Sequence, residues 1–306
     1  MREFRLVIYG FYFIYFNILQ GQNMDVMVLG IAQDAGIPHM GCKKECCLAS
    51  WNDSSAKIFV VSLALVDHKS KKWWLVEASP DIAHQIQLFN QLTQFKFSYW
   101  PDGIFITHAH IGHYSGLMYL GREAANLHNM PVYVLPKMKH FLEDNGPWNQ
   151  LVQIKNIQLN ELKAGESKFI ASSISVTPFT VPHRDEYSET AGFNISCYGR
   201  NYLFIPDIDK WEKWEMDIRQ EVRNCDVAFL DATFYEEREI PNRKISDIPH
   251  PLVPETIQWF KNEDKKDINK IKFIHLNHTN SLLRSEELRS TIRNKGFDVA
   301  EQGKWY

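Results

Sequence analysis

Short apolar runs recur along the chain, separated by stretches that carry a single apolar face. Runs at 26–31, 59–66, 73–76, 104–106, 132–135, 174–181, 202–205, 227–230 and 273–276 are rich in β-branched and aromatic residues. Their lengths and composition suit buried strands better than buried helices. Between some of them, 81–92, 117–128, 210–223, 255–261 and 285–295 space their apolar residues as helices do. Asp81 directly follows Pro80, and Pro254 stands where a first helical turn can open. Strands interspersed with helices predict an α/β fold, sheets covered by helices, and exclude a helical bundle. The charge run 261–272 lacks an apolar face and reads as a solvated surface element. Residues 236–249, with Pro241 and Pro249, read as a long loop of the kind that borders sites.

The first 22 residues change the picture at one end. Arg2 and Arg5 precede an apolar run over 6–19 and then a short polar stretch, which is the layout of a secretory signal peptide. The run is short for a spanning helix of about 20 residues. The expected organisation is therefore a signal peptide over 1–22 and one domain over 23–306, exported to the periplasm or secreted, or cytoplasmic if Met24 is the true start. No stable membrane span is expected after signal removal. The remaining chain shows no repeat and no low-complexity tract. With 44% hydrophobic and 23% charged residues in 306, it can bury a sizeable core, and a net charge of -3 disfavours nucleic acid as a partner. A small-molecule substrate is the expected partner; oligomeric state is not legible.

Candidate chemistry begins at the end of the run 104–106. Thr107 is followed by His108, His110 and His113, three imidazoles released where a strand stops. A turn breaks the alternation of the strand, so the three can converge on one spot, and imidazole is a ligand for zinc, iron, nickel and copper. Downstream, His183, Asp207 and His275 each follow an apolar run. Each alone carries little weight; their shared position at strand ends carries more.

HAHIGH resembles the HxHxDH signature of the metallo-β-lactamase superfamily, with Gly112 where that family usually has aspartate. Longer stretches, VLGIAQDAGIP from Val28, DIDKW from Asp207, DATF from Asp231 and HLNHTNSLL from His275, resemble the branch of coenzyme PQQ biosynthesis protein B. That likeness spans nearly everything after Met24. It implies a four-layer αββα sandwich of two mixed sheets flanked by helices, with metals at one edge. It also implies that His108, His110 and His183 hold one ion, that His113 and His275 hold a second, and that Asp207 bridges them. One or two zinc ions are expected there, and iron(II) suits the same ligands. Because glycine offers no side chain, Gly112 predicts a tight first site and a weaker second one.

Two such cations sharing a water would make a hydrolase of esters, lactones, amides or phosphodiesters. Two rivals follow from the same residues. One is an iron-dependent oxygenase of cofactor biosynthesis, as implied by the branch, with His113, His275 and Asp207 as two histidines and a carboxylate. The other is a metal-binding carrier in which Gly112 marks lost catalysis. His250 and Asp231 are further candidates in the same cleft, His250 as a catalytic, structural or substrate-contacting group and Asp231 as an orienting partner or a cap. Cys42, Cys46 and Cys47 in GCKKECC, with His278 three residues after His275, have the composition of a structural zinc site. A disulfide or free thiols remain open for that cluster. Cys197 and Cys225 sit in apolar surroundings and read as core residues.

Overall fold

The computed structural model describes residues 25–239 and 248–306. The expected signal peptide over 1–22 lies outside the described residues, as does the middle of the expected loop over 236–249. The N-terminal half of the described chain builds a six-stranded sheet in sequence order: β1 (Val26–Gly30), β2 (Ser62–Asp67), β3 (Lys72–Val76), β4 (Ile104–Phe105), β5 (Met130–Val134) and β6 (Ile157–Glu161). The C-terminal half builds a seven-stranded sheet, also in order: β7 (Lys168–Ala171), β8 (Ile174–Val181), β9 (Thr190–Cys197), β10 (Arg200–Ile205), β11 (Val227–Asp231), β12 (Ile271–Ile274) and β13 (Asp298–Val299). Both sheets start with antiparallel pairs and continue with parallel ones, from β3 onward in the first and from β10 onward in the second. This is the expected α/β sandwich of two mixed sheets with helices outside.

Period-two alternation decides which side chains meet. Val26, Val28, Leu63, Leu65, Trp74 and Val76 pack in the core shared with the second sheet. Their neighbours Met27, Leu29, Ala64, Val66, Trp73 and Leu75 pack under the covering helices, where Ile82, Ile86 and Phe89 of helix Ile82–Leu92 meet them. Because both faces are covered, the strands read as continuous apolar runs. The free edge of β1 is capped by the C-terminal tail: Val28 donates to the Lys304 carbonyl at 2.9 Å and Tyr306 to that of Val26 at 2.8 Å. Among the described residues, no helix is long and apolar enough to cross a membrane.

Two expected helices and the expected charge run differ. Residues 117–128 form no long helix; a turn of helix, Ile111–Tyr114, runs into a 3-10 helix, Ser115–Leu120. Gly116 explains the tightening, since its amide donates to Ala78 at 2.8 Å and any side chain there would overlap the Ser79 carbonyl. Residues 210–223 split into a 3-10 turn, Trp211–Lys213, that buries Trp211, and a helix, Ile218–Arg223, capped by Asp217. The stretch 261–272 is not wholly solvated: helix Lys265–Ile268 buries Asp267 and Ile268, and Lys270 pairs with Asp267 at 2.8 Å.

Candidate metal centre

The ends of the parallel strands β4, β10, β11 and β12, with that of β8, open on one edge where the two sheets meet. His108 and His110 follow β4, His113 lies in helix Ile111–Tyr114, His183 follows β8, Asp207 follows β10, Asp231 closes β11 and His275 follows β12. Loops beyond the carboxyl ends of such strands are where α/β folds place their sites.

Two matching relays, one from each sheet, fix the imidazoles. A hydroxyl carries one proton, so a threonine that donates to a carboxylate must accept from a ring. Thr107 donates to Glu77 Oε1 at 2.5 Å and therefore accepts, at 2.9 Å, from His108 Nδ1. Thr233 donates to Asp231 Oδ1 at 2.6 Å and accepts from His275 Nδ1 at 2.9 Å. His113 Nδ1 lies 3.2 Å from the same Glu77 Oε1. Each of the three rings is thus left with a free Nε2 facing the centre, and buried Nε2 atoms of His108, His113 and His275 have no hydrogen-bond partner. Both relays are strained into place: Glu77 and His275 have left-handed backbones at φ 73° and 63°. Such conformations in non-glycine residues cost about 1–3 kcal/mol and collect at functional sites.

Asp207 is the hub. His108 Nε2 lies 3.4 Å from its carboxylate, His183 Nε2 3.2 Å, His113 Nε2 3.7 Å, His110 Nδ1 3.9 Å and His275 Nε2 4.0 Å. Burial works against its charge, but His183, His250 and His275 around it hold the carboxyl well below its ordinary range. Burial drives His108 and His275 well below the usual imidazole range, which keeps them as neutral lone-pair donors. His113 goes the other way: burial opposes its charge, yet Glu77 and Asp34 raise it to about 9, so a cation entering there displaces a proton.

The donor set fits a metal. His110 Nδ1 and His183 Nε2 face each other at 3.2 Å. Bonds of about 2.0–2.1 Å from tetrahedral zinc to two nitrogens would set them roughly 3.3 Å apart. His108, His110, His183 and Asp207 form one such group, and Asp207, Asp231, His250 and His275 an adjoining one. All six ligands expected from the sequence therefore meet at one place. His250 Nδ1 lies 2.8 Å from Asp231 and 3.2 Å from Asp207, buried between them. Burial opposes its charge, but Asp231 and Asp207 raise it to about 9.

Sequence reasoning missed four residues here. Glu77, Thr107 and Thr233 orient ligands by way of hydrogen bonds that no spacing announces. Asp34, in the QDAG segment after β1, places its Oδ1 3.6 Å from His113 Nε2 and joins His113 and His275 in a third group. The expectation of a weaker second site rested on the missing side chain of Gly112; a distant segment nevertheless brings a carboxylate beside His113. The QDAG run stood out in the sequence, and an acid beside a glycine pair of turns was its only signal.

The cysteine cluster lies nearby. Cys42 Sγ and Cys46 Sγ are 3.6 Å apart, Cys46 and Cys47 4.0 Å, and His278 Nδ1 lies 3.5 Å from both Cys46 and Cys47. All three are free thiols in the structure. Zinc–sulfur bonds of about 2.3 Å in a tetrahedron would place two sulfurs roughly 3.8 Å apart, so the four donors fit one zinc. Between the two clusters opens a cleft of about 410 Å³, lined by Asp34, Lys44, Phe234, Glu239, Asn277 and His278 among others. That volume suits a small molecule.

Comparison with known proteins places the chain. A family model described as a beta-lactamase superfamily domain matches residues 72–272. The coenzyme PQQ synthesis protein B of Methylorubrum extorquens strain PA1 is 24% identical over 306 residues, covering 92% of this chain and 98% of that protein. The crystal structure of Zn2+-bound PqqB from Methylobacterium extorquens superposes with a TM-score of 0.73 at 22% identity, covering 92% of this chain and 99% of the other. A diphosphatase of the PhnP family superposes with a TM-score of 0.64 at 20% identity, covering 91% and 94%. At these identities the structural likenesses speak for the fold.

Proposed function

The chain belongs to the metallo-β-lactamase superfamily, and from that premise we propose that it is a metal-dependent hydrolase of a small-molecule substrate with an ester, lactone, amide or phosphodiester bond. The observation that carries this reading is the set of buried, unpartnered ring nitrogens of His108, His113 and His275 aimed at Asp207 beside an open cleft. Leaving such atoms unpaired costs about 1–3 kcal/mol each, a cost that a ligand repays. When bound there, a divalent cation would supply Lewis acidity and a hydroxide at neutral pH.

The residues of the chain do the rest. Glu77–Thr107 and Asp231–Thr233 hold His108 and His275 in one tautomer, with lone pairs inward. Asp207 spreads one carboxylate across both groups of histidines. His250, held by Asp231, keeps a proton within 3.2 Å of Asp207 Oδ1 and balances its charge. Glu186 reaches His110 Nε2 at 3.1 Å from the surface side and turns its Nδ1 inward.

The test is metal analysis of the purified protein followed by a panel of phosphodiester, carboxylic ester and lactone substrates. Zinc in the protein with turnover that a chelator removes supports hydrolysis. A second reading has one specific observation in its favour: Asp34, His113 and His275 make two histidines and a carboxylate, the set that many iron(II) oxygenases use. Iron after anaerobic purification, with oxygen uptake and no hydrolysis, would favour it; bound zinc without any turnover would favour a carrier. Export belongs to the same proposal, and N-terminal sequencing of protein expressed from Met1 should find a start near Asn23.

A further inference from the structure

We propose that Asp34 supplies the carboxylate arm of the second cation site, from the space that a side chain at position 112 would otherwise fill. The proposal rests on the reading of this centre as a metal site, not on the reaction it performs.

Three observations place the carboxylate. First, Asp34 Oδ1 is buried without a hydrogen-bond partner and lies 3.6 Å from His113 Nε2, itself unpartnered and fully buried. Asp34, His113 and His275 each bring one donor atom within 4.8 Å of the other two. Second, the segment carrying Asp34 is held in register with His275. After β1 the chain leaves the first sheet, and Ala32 bridges to Val60 on one side and to Leu276 on the other. Leu276 donates to the Ile31 carbonyl at 2.8 Å and Gln33 to that of Leu276 at 2.9 Å. Asn277 ties the Gln33 side chain at 2.5 Å, and a turn closed by Gly36 donating to Gln33 at 2.9 Å then presents Asp34. A carboxylate so anchored is aimed rather than free.

Third, Gly112 and Asp34 exclude each other's side chains. A methyl group built on Gly112 would overlap both the carboxylate oxygen and the backbone of Asp34. Glycine at 112 is thus the condition for the Asp34 segment to reach His113. On this reading the acid reaches the same site from another segment, the turn after β1, and the second site need not be the weaker one. A mere counterion for protonated His113 would need the charge of Asp34 but not its open lone pair at the point shared with His275.

Asp34→Asn keeps the shape and removes the charge, on a side chain one-third exposed, so folding is not at stake. Zinc uptake by the whole protein is followed by elemental analysis after equilibrium dialysis across a series of free zinc concentrations. The wild type should take up two ions beyond the one at the cysteine cluster. In Asp34→Asn the last ion should need at least 10-fold more free zinc, with the others unmoved. In Asp34→Gly the loss should be as large. Uptake by Asp34→Asn or Asp34→Gly that superimposes on the wild type overturns the proposal. Because the readout is metal uptake, a protein that binds both ions yet hydrolyses nothing would refute the hydrolase reading and leave this one standing.

Discussion

The two candidate metal centres share two segments of the chain and differ in almost everything else. The stretch after β1 carries Asp34 and then Cys42, Cys46 and Cys47; the stretch after β12 carries His275 and then His278. In the histidine–aspartate centre, ligands come from the ends of strands in both sheets, His108 and His275 are fixed through threonines and His110 by Glu186, and a cleft reaches one side. In the cysteine centre, four soft donors close on one point, three of them from a single turn of chain around helix Glu45–Asn52. Oriented and open ligands leave room for a substrate; a closed set of thiols and one imidazole leaves none. On the proposed reading the first centre is the one for chemistry, and an ion in the second would staple the loop that carries Asp34.

The sharpest way to break this contrast is to remove one ligand from each. His108→Ala should lower turnover on the order of 10³-fold or more, because the acidity of bound water is lost with the ion, while melting temperature changes little by comparison. Cys47→Ala should do the reverse: one zinc fewer by elemental analysis, a melting temperature lower by several degrees at about 2–4 °C per kcal/mol, and the ions of the other centre retained. If Cys47→Ala instead abolishes turnover with its catalytic metal in place, the division of labour is wrong. A smaller effect belongs to the relays. Thr233→Val should weaken zinc at His275 by about 10–100-fold, and Thr107→Val should do the same at His108, each read by competition with a chromogenic chelator. Equal affinity in both variants would show that the threonines merely fill space.

Much of this was legible in the sequence, and the reasons are local. Strand positions follow from apolar runs such as 63–66 and 227–230, because burial on both faces leaves no alternation to misread. The candidate metal ligands were picked out by strand-end placement together with the likeness to the superfamily signature. What was hidden depends on packing between distant segments. The 3-10 turn at Ser115–Leu120 comes from contact of Gly116 with residues after β3, which periodicity cannot register. The strands β6, β7 and β9 carry mixed, half-exposed or small residues and were not singled out as apolar runs. Asp34 was hidden for the deepest reason: its role exists only because position 112, 78 residues away by number, has no side chain. Glycine there reads as a loss in one dimension and as an opening in three.

The most direct measurement is anomalous X-ray diffraction at the zinc edge from crystals of the full chain grown with zinc. The account predicts peaks inside the His108, His110, His183 and Asp207 group, beside Asp34, His113 and His275, and among Cys42, Cys46, Cys47 and His278. A map with the cysteine peak alone, in a protein whose histidine rings keep the positions described, would contradict it.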